Sequence, residues 1–172
     1  MKQVNFLVEH LGSSQLSYYL INMINKLALE RNDLDIIVFF NTMQKTPLQP
    51  RFAMMQMAEA WGQTGYTIAT SFGTAKRMLT FPSVDKRIYY VWDLPWLREP
   101  RQVYREYANV LCNPKIDIVA RSPAHAASLY NFTNQDTEIP IMEDFDVAKL
   151  VEVIDCEDTD NSRSDQRVCQ KA

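Results

Sequence analysis

The chain has 172 residues, of which 47% are hydrophobic and 23% are charged, a composition typical of one globular domain with a sizeable core. The formal net charge of −3 gives no overall positive field that would attract nucleic acid. No apolar run approaches the roughly 20 residues of a membrane-spanning helix, and a strand-like segment stands at the start in place of a signal peptide. We therefore expect a cytoplasmic protein that does not enter a membrane.

Strands and helices are predicted to alternate from the start of the chain. Residues 4–8 and 34–40 are apolar at nearly every position, which is typical of parallel strands buried on both faces. Between them, apolar residues recur every three or four positions over residues 15–30, the pattern of an amphipathic helix. A second helix, rich in methionine and alanine, is predicted over residues 52–61.

The alternation continues through the middle of the chain. A third strand is predicted over residues 66–69, followed by a short helix that ends near Leu79. An aromatic fourth strand over residues 87–92 leads to a helix over residues 101–111 and a fifth strand over residues 116–120.

The last part of the chain has two more predicted elements and a polar tail. Ser122 and Pro123 open a helix, with serine as the cap and proline in the first turn. A sixth strand is predicted over residues 138–142 and a final amphipathic helix over residues 145–154. Residues 155–172 are polar and charged, which predicts a disordered tail because they cannot form a core.

This order of elements predicts an α/β fold, with residues 1–154 forming a single domain. We expect a Rossmann-like, doubly wound and mostly parallel sheet of about six strands, with helices on both faces. The polar clusters that follow the strands then share one edge of the sheet, where such folds bind ligands. The cysteines at positions 112, 156 and 169 and the two histidines lack metal-ligand spacing, so no metal site is expected.

The first candidate cluster is the segment with His10, Gly12 and Ser13. Backbone N–H groups at the start of a helix favour negative charge. The full G-x-G-x-x-G pattern and the lysine of a P-loop are both missing, which argues against a dinucleotide enzyme and a P-loop NTPase. The alternative interpretation is a capped helix start with a bystander histidine.

The second cluster combines aromatic rings with an acid just past the fourth strand. Trp92 and Trp96 flank Asp93, and Ser71 follows the third strand. Aromatic rings offer stacking surfaces, and an aspartate accepts hydroxyl protons. Alternatively, both tryptophans pack under the turn at Pro95 and Asp93 caps the next segment.

The third cluster follows the fifth strand and contains Arg121, Ser122 and His125. Arg121 is a candidate contact for an anionic group or a partner of Glu143 or Asp144. His125 lies one helical turn further on and faces the same edge, although a structural histidine is the alternative interpretation.

Motifs at the strand ends carry a family resemblance. They are Gly12-Ser13, Thr70-Ser71, Trp92-Asp93, Ala120-Arg121-Ser122 and the closing segment 141–146. Over about residues 3–150 the chain resembles the N-terminal, acceptor-side half of a GT-B-type glycosyltransferase, and its methionine- and asparagine-rich style is similar to that of phage glycosyltransferase-like proteins. That family binds its nucleotide-sugar donor mainly in a second domain, which we do not expect within these residues.

The resemblance implies roles for the candidate residues. His10 and Asp93 would deprotonate an acceptor hydroxyl, and Trp92 and Trp96 would stack on the acceptor. The remaining acceptor-binding candidates are Gly12, Ser13, Ser71, Arg121, Ser122 and His125. We expect no cofactor in this chain and no transfer by it alone, with a partner subunit supplying the donor domain and the nucleotide-sugar.

Two other functions stay open at this stage. A Rossmann-like domain can serve as a non-enzymatic protein-interaction module, alone or as an oligomer. A local basic stripe is either a track for phosphates of nucleic acid or a solvated face of the protein, and it consists of Lys76, Arg77, Lys86, Arg87, Arg98, Arg101 and Arg105.

Overall fold

The computed structural model describes residues 2–134, 139–146 and 149, and it contains six strands and four α-helices within them. The strands are β1 (Lys2–Leu11), β2 (Leu34–Met43), β3 (Ala53–Gln56), β4 (Tyr66–Ala69), β5 (Lys86–Val91) and β6 (Asp117–Ala120). The α-helices are α1 (Gln15–Glu30), α2 (Phe72–Met78), α3 (Tyr104–Leu111) and α4 (Pro123–Thr133). Short 3₁₀ helices occupy Met57–Gly62, Pro95–Leu97, Arg101–Val103 and Glu143–Phe145.

All six strands form one parallel sheet in the order β3-β2-β1-β4-β5-β6. The predicted α/β fold with a parallel sheet is therefore confirmed. This strand order is that of the Rossmann fold, and it reverses direction between β1 and β4. Ligands of open parallel sheets bind beside such a reversal, at the carboxyl ends of the strands.

Helices cover both faces of the sheet, because the central strands are apolar on both sides. In β1, Phe6 and Val8 are buried against α1 and the segment around Phe145. Leu7 points to the opposite core, which α2, α3, α4 and the 3₁₀ helix Met57–Gly62 cover. No helix in the described ranges is long and apolar enough to cross a membrane.

Side-chain caps fix the start of the helices that follow strands. Ser14 accepts a hydrogen bond from the Ser17 amide and begins α1. At α2, Ser71 and Thr74 form a reciprocal capping box, and Ser122 caps α4 ahead of Pro123. These caps satisfy N–H groups that have no partner inside a helix, and they hold the strand-end loops in place.

The predicted helix over residues 52–61 is wrong in its first half. Ala53–Gln56 instead pairs with β2 in parallel register as an edge strand, and a 3₁₀ helix follows. The ladder hydrogen bonds and the packing of Met54 against the core outweigh the helix propensity of alanine and methionine. Met57 is buried in the core, whereas Met55 is exposed.

The predicted sixth strand over residues 138–142 is wrong, since Ile141 forms only a single parallel bridge to Ala120. The Ala120 amide donates to the Pro140 carbonyl, and the Met142 amide donates to the Ala120 carbonyl, both at 2.8 Å. Pro140 has no N–H group to extend a ladder. Residue 138 itself lies outside the described residues.

Two further element boundaries differ from the sequence prediction. β1 extends beyond residues 4–8, because its pairing with β2 continues to Leu11, and His10 therefore lies in the strand. In the predicted helix over residues 145–154, Phe145 ends a 3₁₀ turn at a positive φ of 58°. Most of the rest of that helix, and the whole tail 155–172, lies outside the described residues.

Candidate functional site

A pocket of about 610 Å³ opens at the carboxyl edge of the sheet. Its walls come from the ends of β1, β4 and β5 and from the starts of α1 and α2. It thus lies at the reversal of strand order, and its volume is within the roughly 300–1,000 Å³ of small-molecule sites.

The walls of the pocket are mainly apolar and aromatic. They are formed by Val8, Leu16, Phe72, Tyr89, Trp92, Pro95 and Tyr107. The rings of Phe72 and Tyr107 lie 4.2 Å apart between centroids. The polar groups are two carboxylates, one imidazole and several hydroxyls and amides, from Glu9, His10, Ser14, Gln15, Thr70, Ser71 and Asp93. Among the described residues that line this pocket, none is a lysine or an arginine.

Burial keeps the phenols of the pocket protonated. It raises the pKa of Tyr107 to about 12, an effect that hydrogen bonding to Glu99 reinforces. Burial likewise raises the pKa of Tyr89 well above its ordinary value. Both side chains therefore present neutral hydroxyls at physiological pH.

The structure brings His10, Ser71, Trp92 and Asp93 together around this one pocket. His10 is exposed, and its Nδ1 atom lies 2.5 Å from the Thr42 hydroxyl on β2. The Ser71 hydroxyl is engaged in capping α2. These four residues come from three strand ends, as the predicted shared edge requires.

Asp93 is partnered within its own loop. One carboxylate oxygen accepts a hydrogen bond from the Leu94 amide at 2.9 Å, and the other forms an ion pair with Arg98. The side chain is more than half exposed. Asp93 therefore stands at the rim of the pocket with its charge already compensated.

Trp92 forms a partly buried wall that other aromatic rings and a cation support. Its ring centroid lies 6.0 Å from that of Tyr19 and 6.4 Å from that of Tyr90. The Arg121 guanidinium lies 4.1 Å from the Trp92 centroid. Arg121 thus contacts the tryptophan rather than either of its predicted partners, Glu143 and Asp144.

The other six predicted site residues do not line this pocket, namely Gly12, Ser13, Trp96, Arg121, Ser122 and His125. Gly12 and Ser13 line a separate recess of about 340 Å³ that also includes His10. Trp96 is only 2% exposed and packs in the core against Tyr107 and Phe132, at centroid distances of 5.9 and 4.9 Å. Trp96 therefore packs behind the pocket wall, which agrees with the alternative interpretation that it packs under the turn at Pro95.

His125 forms a local pair with the cap of its own helix. The Ser122 hydroxyl lies 2.9 Å from His125 Nδ1 and also accepts from the His125 amide. Burial lowers the pKa of His125, and the charge of Arg121 lowers it further. Neither Ser122 nor His125 is among the residues that line the main pocket.

Sequence reasoning missed Glu9 and its partner Asn41. Asn41 Nδ2 donates to Glu9 Oε1 at 2.7 Å, and Asn41 Oδ1 accepts from Arg77 at 2.9 Å. The signal was present, since Glu9 directly follows a buried apolar run. The predicted strand over residues 4–8 ends one residue before Glu9, so the sequence prediction leaves Glu9 outside the sheet.

The basic stripe is largely engaged in contacts within the protein. Lys76 pairs with Glu106, and Lys86 with Asp117. Arg87 donates to the Phe81 carbonyl at 2.7 Å. Arg77 and Arg98 bond to Asn41 and Asp93. The structure therefore gives no particular support to a phosphate-binding track.

Comparisons with protein-family models, with curated proteins and with solved structures find no match. No group of three or more histidine, cysteine, aspartate or glutamate side chains in the described part of the chain is placed to hold a metal ion.

Proposed function

We propose that this domain binds an uncharged ring compound with several hydroxyl groups, such as a sugar, in the pocket between β1, β4 and β5. We further propose that it serves as the acceptor-binding half of a GT-B-type glycosyl transfer. The observation that carries the proposal is the combination of aromatic walls with two carboxylates, in a pocket lining that contains no lysine or arginine.

The chemistry of the walls suits the two surfaces of a sugar ring. The C–H faces of the ring are apolar and would pack on Phe72 and Trp92, which aromatic faces accommodate well. Sugar hydroxyls can donate hydrogen bonds. The ionised carboxylates of Glu9 and Asp93 have no hydrogen to donate and act only as acceptors. The neutral hydroxyl of Tyr89 can either donate or accept, whereas that of Tyr107, which donates to Glu99, can accept.

The charge of the lining disfavours an anionic ligand. A nucleoside diphosphate brings negative charges that Glu9 would repel, and no lysine or arginine lines the pocket to offset them. Asp93 adds no attraction, because its charge is already paired with Arg98. A nucleotide-sugar donor therefore requires a second surface. We propose that a partner subunit supplies it.

His10 is the better placed of the two proposed bases. Its Nδ1 atom faces Thr42, which leaves Nε2 for an acceptor hydroxyl. For Nε2 to accept a proton, Nδ1 must carry its hydrogen and donate it to the Thr42 hydroxyl. Asp93 would first have to loosen its ion pair with Arg98.

The binding proposal is tested by titrating tryptophan fluorescence. Trp61 is 55% exposed and does not line the pocket, so Trp61→Phe removes its background signal. Methyl glucopyranoside, methyl galactopyranoside and methyl mannopyranoside are the probes, with uridine diphosphate as the anionic comparison. We expect a saturable emission change with at least one glycoside and none with the nucleotide. Binding of the nucleotide alone, or of no probe, contradicts the proposal.

The transfer proposal needs a separate assay. The chain is incubated with a panel of nucleotide-sugars and the bound glycoside, alone and with any donor-type domain encoded beside it. We expect product only in the presence of the partner. Turnover by the chain alone contradicts the need for a partner, and the absence of turnover in both cases leaves only a binding domain.

A further inference from the structure

Glu9 is the more buried of the two carboxylates in the pocket. It is partly buried, whereas His10 and Asp93 are both exposed. One of its oxygens is held by the Asn41 amide at 2.7 Å. Leu7, two residues earlier on the same face of β1, belongs to the core beneath α2, and Glu9 therefore extends into the pocket from a strand of the sheet.

The orientation of the Asn41 amide is fixed by its two partners. A guanidinium only donates hydrogen bonds and an ionised carboxylate only accepts them. The Asn41 oxygen must therefore face Arg77 and its NH₂ group must face Glu9, as the distances of 2.9 and 2.7 Å show. This chain of contacts holds Glu9 Oε1 in one position.

The second oxygen of Glu9 faces a part of the wall that has no side chain. A Cβ atom at Gly73 would lie 3.3 Å from Glu9 Oε2, and both residues line the pocket. No described residue donates a hydrogen bond to Oε2. The pocket therefore contains a fixed carboxylate with one oxygen engaged and the other available to a ligand.

We propose that Glu9 determines which hydroxyl group of the ligand the pocket recognises. This inference rests on the proposed function. The Oε2 atom of Glu9 accepts a hydrogen bond from one hydroxyl of the sugar. Asn41 is a positioning residue that acts through Glu9, with Arg77 behind it. A hydrogen bond to a charged acceptor contributes enough to change affinity about tenfold or more.

Deoxy sugars test the role of Glu9. Wild-type protein and Glu9→Gln are titrated with the methyl glycoside that binds best and with each of its monodeoxy forms. We expect one deoxy form to bind the wild type about tenfold or more weakly. Glu9→Gln should lose most of that difference while keeping its fold by circular dichroism. Glu30→Gln, at the end of α1 on the opposite edge of the sheet, removes the same charge and should keep the wild-type pattern.

The role of Asn41 is tested by two variants of similar size. Asn41→Asp keeps an acceptor toward Arg77 but turns a repelling oxygen toward Glu9. Asn41→Leu removes both contacts. We expect both to weaken glycoside binding and to reduce the discrimination against the same deoxy form. If Asn41 merely held Arg77, Asn41→Asp would bind and discriminate like the wild type.

The outcomes separate this inference from the proposed function. If the wild type binds a glycoside and Glu9→Gln still discriminates against the same deoxy form, the role of Glu9 is overturned and the binding site stands. If the wild type binds no glycoside at all, the proposed function fails and the role of Glu9 fails with it.

Discussion

Arg121 braces Trp92 from the side of β6. Its guanidinium lies 4.1 Å from the centroid of the indole ring, and its NH1 group donates to the Trp92 carbonyl at 3.3 Å. Trp92 is also a wall of the pocket. A cation over an aromatic face stabilises the pair by about 0.5–2 kcal/mol, depending on how far it is desolvated. The contact therefore couples a residue outside the pocket lining to the shape of the pocket.

Replacing Arg121 should loosen that wall. Arg121→Met keeps an apolar stem and removes the cation, so we expect glycoside affinity to fall about threefold to tenfold. The measurement is the fluorescence titration in the Trp61→Phe background, together with the anisotropy of the tryptophan emission. Arg101→Met, an exposed arginine in a 3₁₀ helix, serves as the control. If Arg121→Met binds the glycoside as tightly as the wild type, the contact between Arg121 and Trp92 does not contribute to binding.

Tyr90 ties the segment around residues 139–146 to the sheet. Its hydroxyl donates to the Met142 carbonyl at 2.8 Å and accepts from the Phe145 amide at 3.3 Å. Its ring meets Phe145 edge to face, with centroids 4.7 Å apart. Tyr90→Phe leaves both backbone groups without this partner.

We expect Tyr90→Phe to lower the free energy of unfolding by about 1–3 kcal/mol. Urea unfolding checks this through a lower midpoint with an unchanged slope. Tyr130→Phe removes a hydroxyl from a side chain that is 48% exposed and should change stability very little. Equal midpoints for both variants would mean that the two buried hydrogen bonds are not needed.

His125 should make stability depend on pH. Its pKa is lowered in the folded protein, first by burial and then by Arg121. As the pH falls below about 6.5, the ordinary histidine value, the unfolded chain takes up the proton first. The free energy of unfolding therefore falls, and this loss is complete once the pH drops below the folded pKa.

The comparison of wild type with His125→Asn isolates this effect. Urea midpoints measured from pH 8 down to about pH 5 should decline more steeply for the wild type than for the variant below pH 6.5. Curves that stay parallel over this range would rule out the contribution of His125.

The parallel sheet could be predicted because continuous apolar runs demand burial on both faces. Residues 4–8 and 34–40 carry that signal without help from distant contacts. β3 could not be predicted, since Ala53–Gln56 has no β-branched residue and becomes a strand only through pairing with β2. At this edge of the sheet, the hydrogen bonds between β3 and β2 outweigh the local helix propensity of the segment.

The sequence could predict where the candidate site lies but not which side-chain contacts form it. Strand-end positions placed His10, Ser71 and Asp93 around one pocket. The bond between Glu9 and Asn41 joins residues 32 positions apart, and strand register alone brings them together. In the sequence, Trp92 and Trp96 look equivalent. The 3₁₀ turn Pro95–Leu97 sends only the second one into the core.

Gly65 provides a test of the backbone at the entry to β4. Its φ is +76°, and an added Cβ would lie 2.4 Å from the Gln3 carbonyl oxygen of β1. Because the obstacle is backbone in the centre of the sheet, it cannot move aside cheaply. We expect Gly65→Ala to lower the free energy of unfolding by at least about 1–3 kcal/mol.

Gly62→Ala is the matched control, because nothing lies within 4 Å of the Cβ position at Gly62. There the smaller entropy of the unfolded alanine chain should leave stability unchanged or raise it by up to about 1 kcal/mol. Urea unfolding of the two variants makes the comparison. If Gly65→Ala unfolds at the same midpoint as Gly62→Ala, the close approach of this turn to β1 is not a feature of the folded protein in solution.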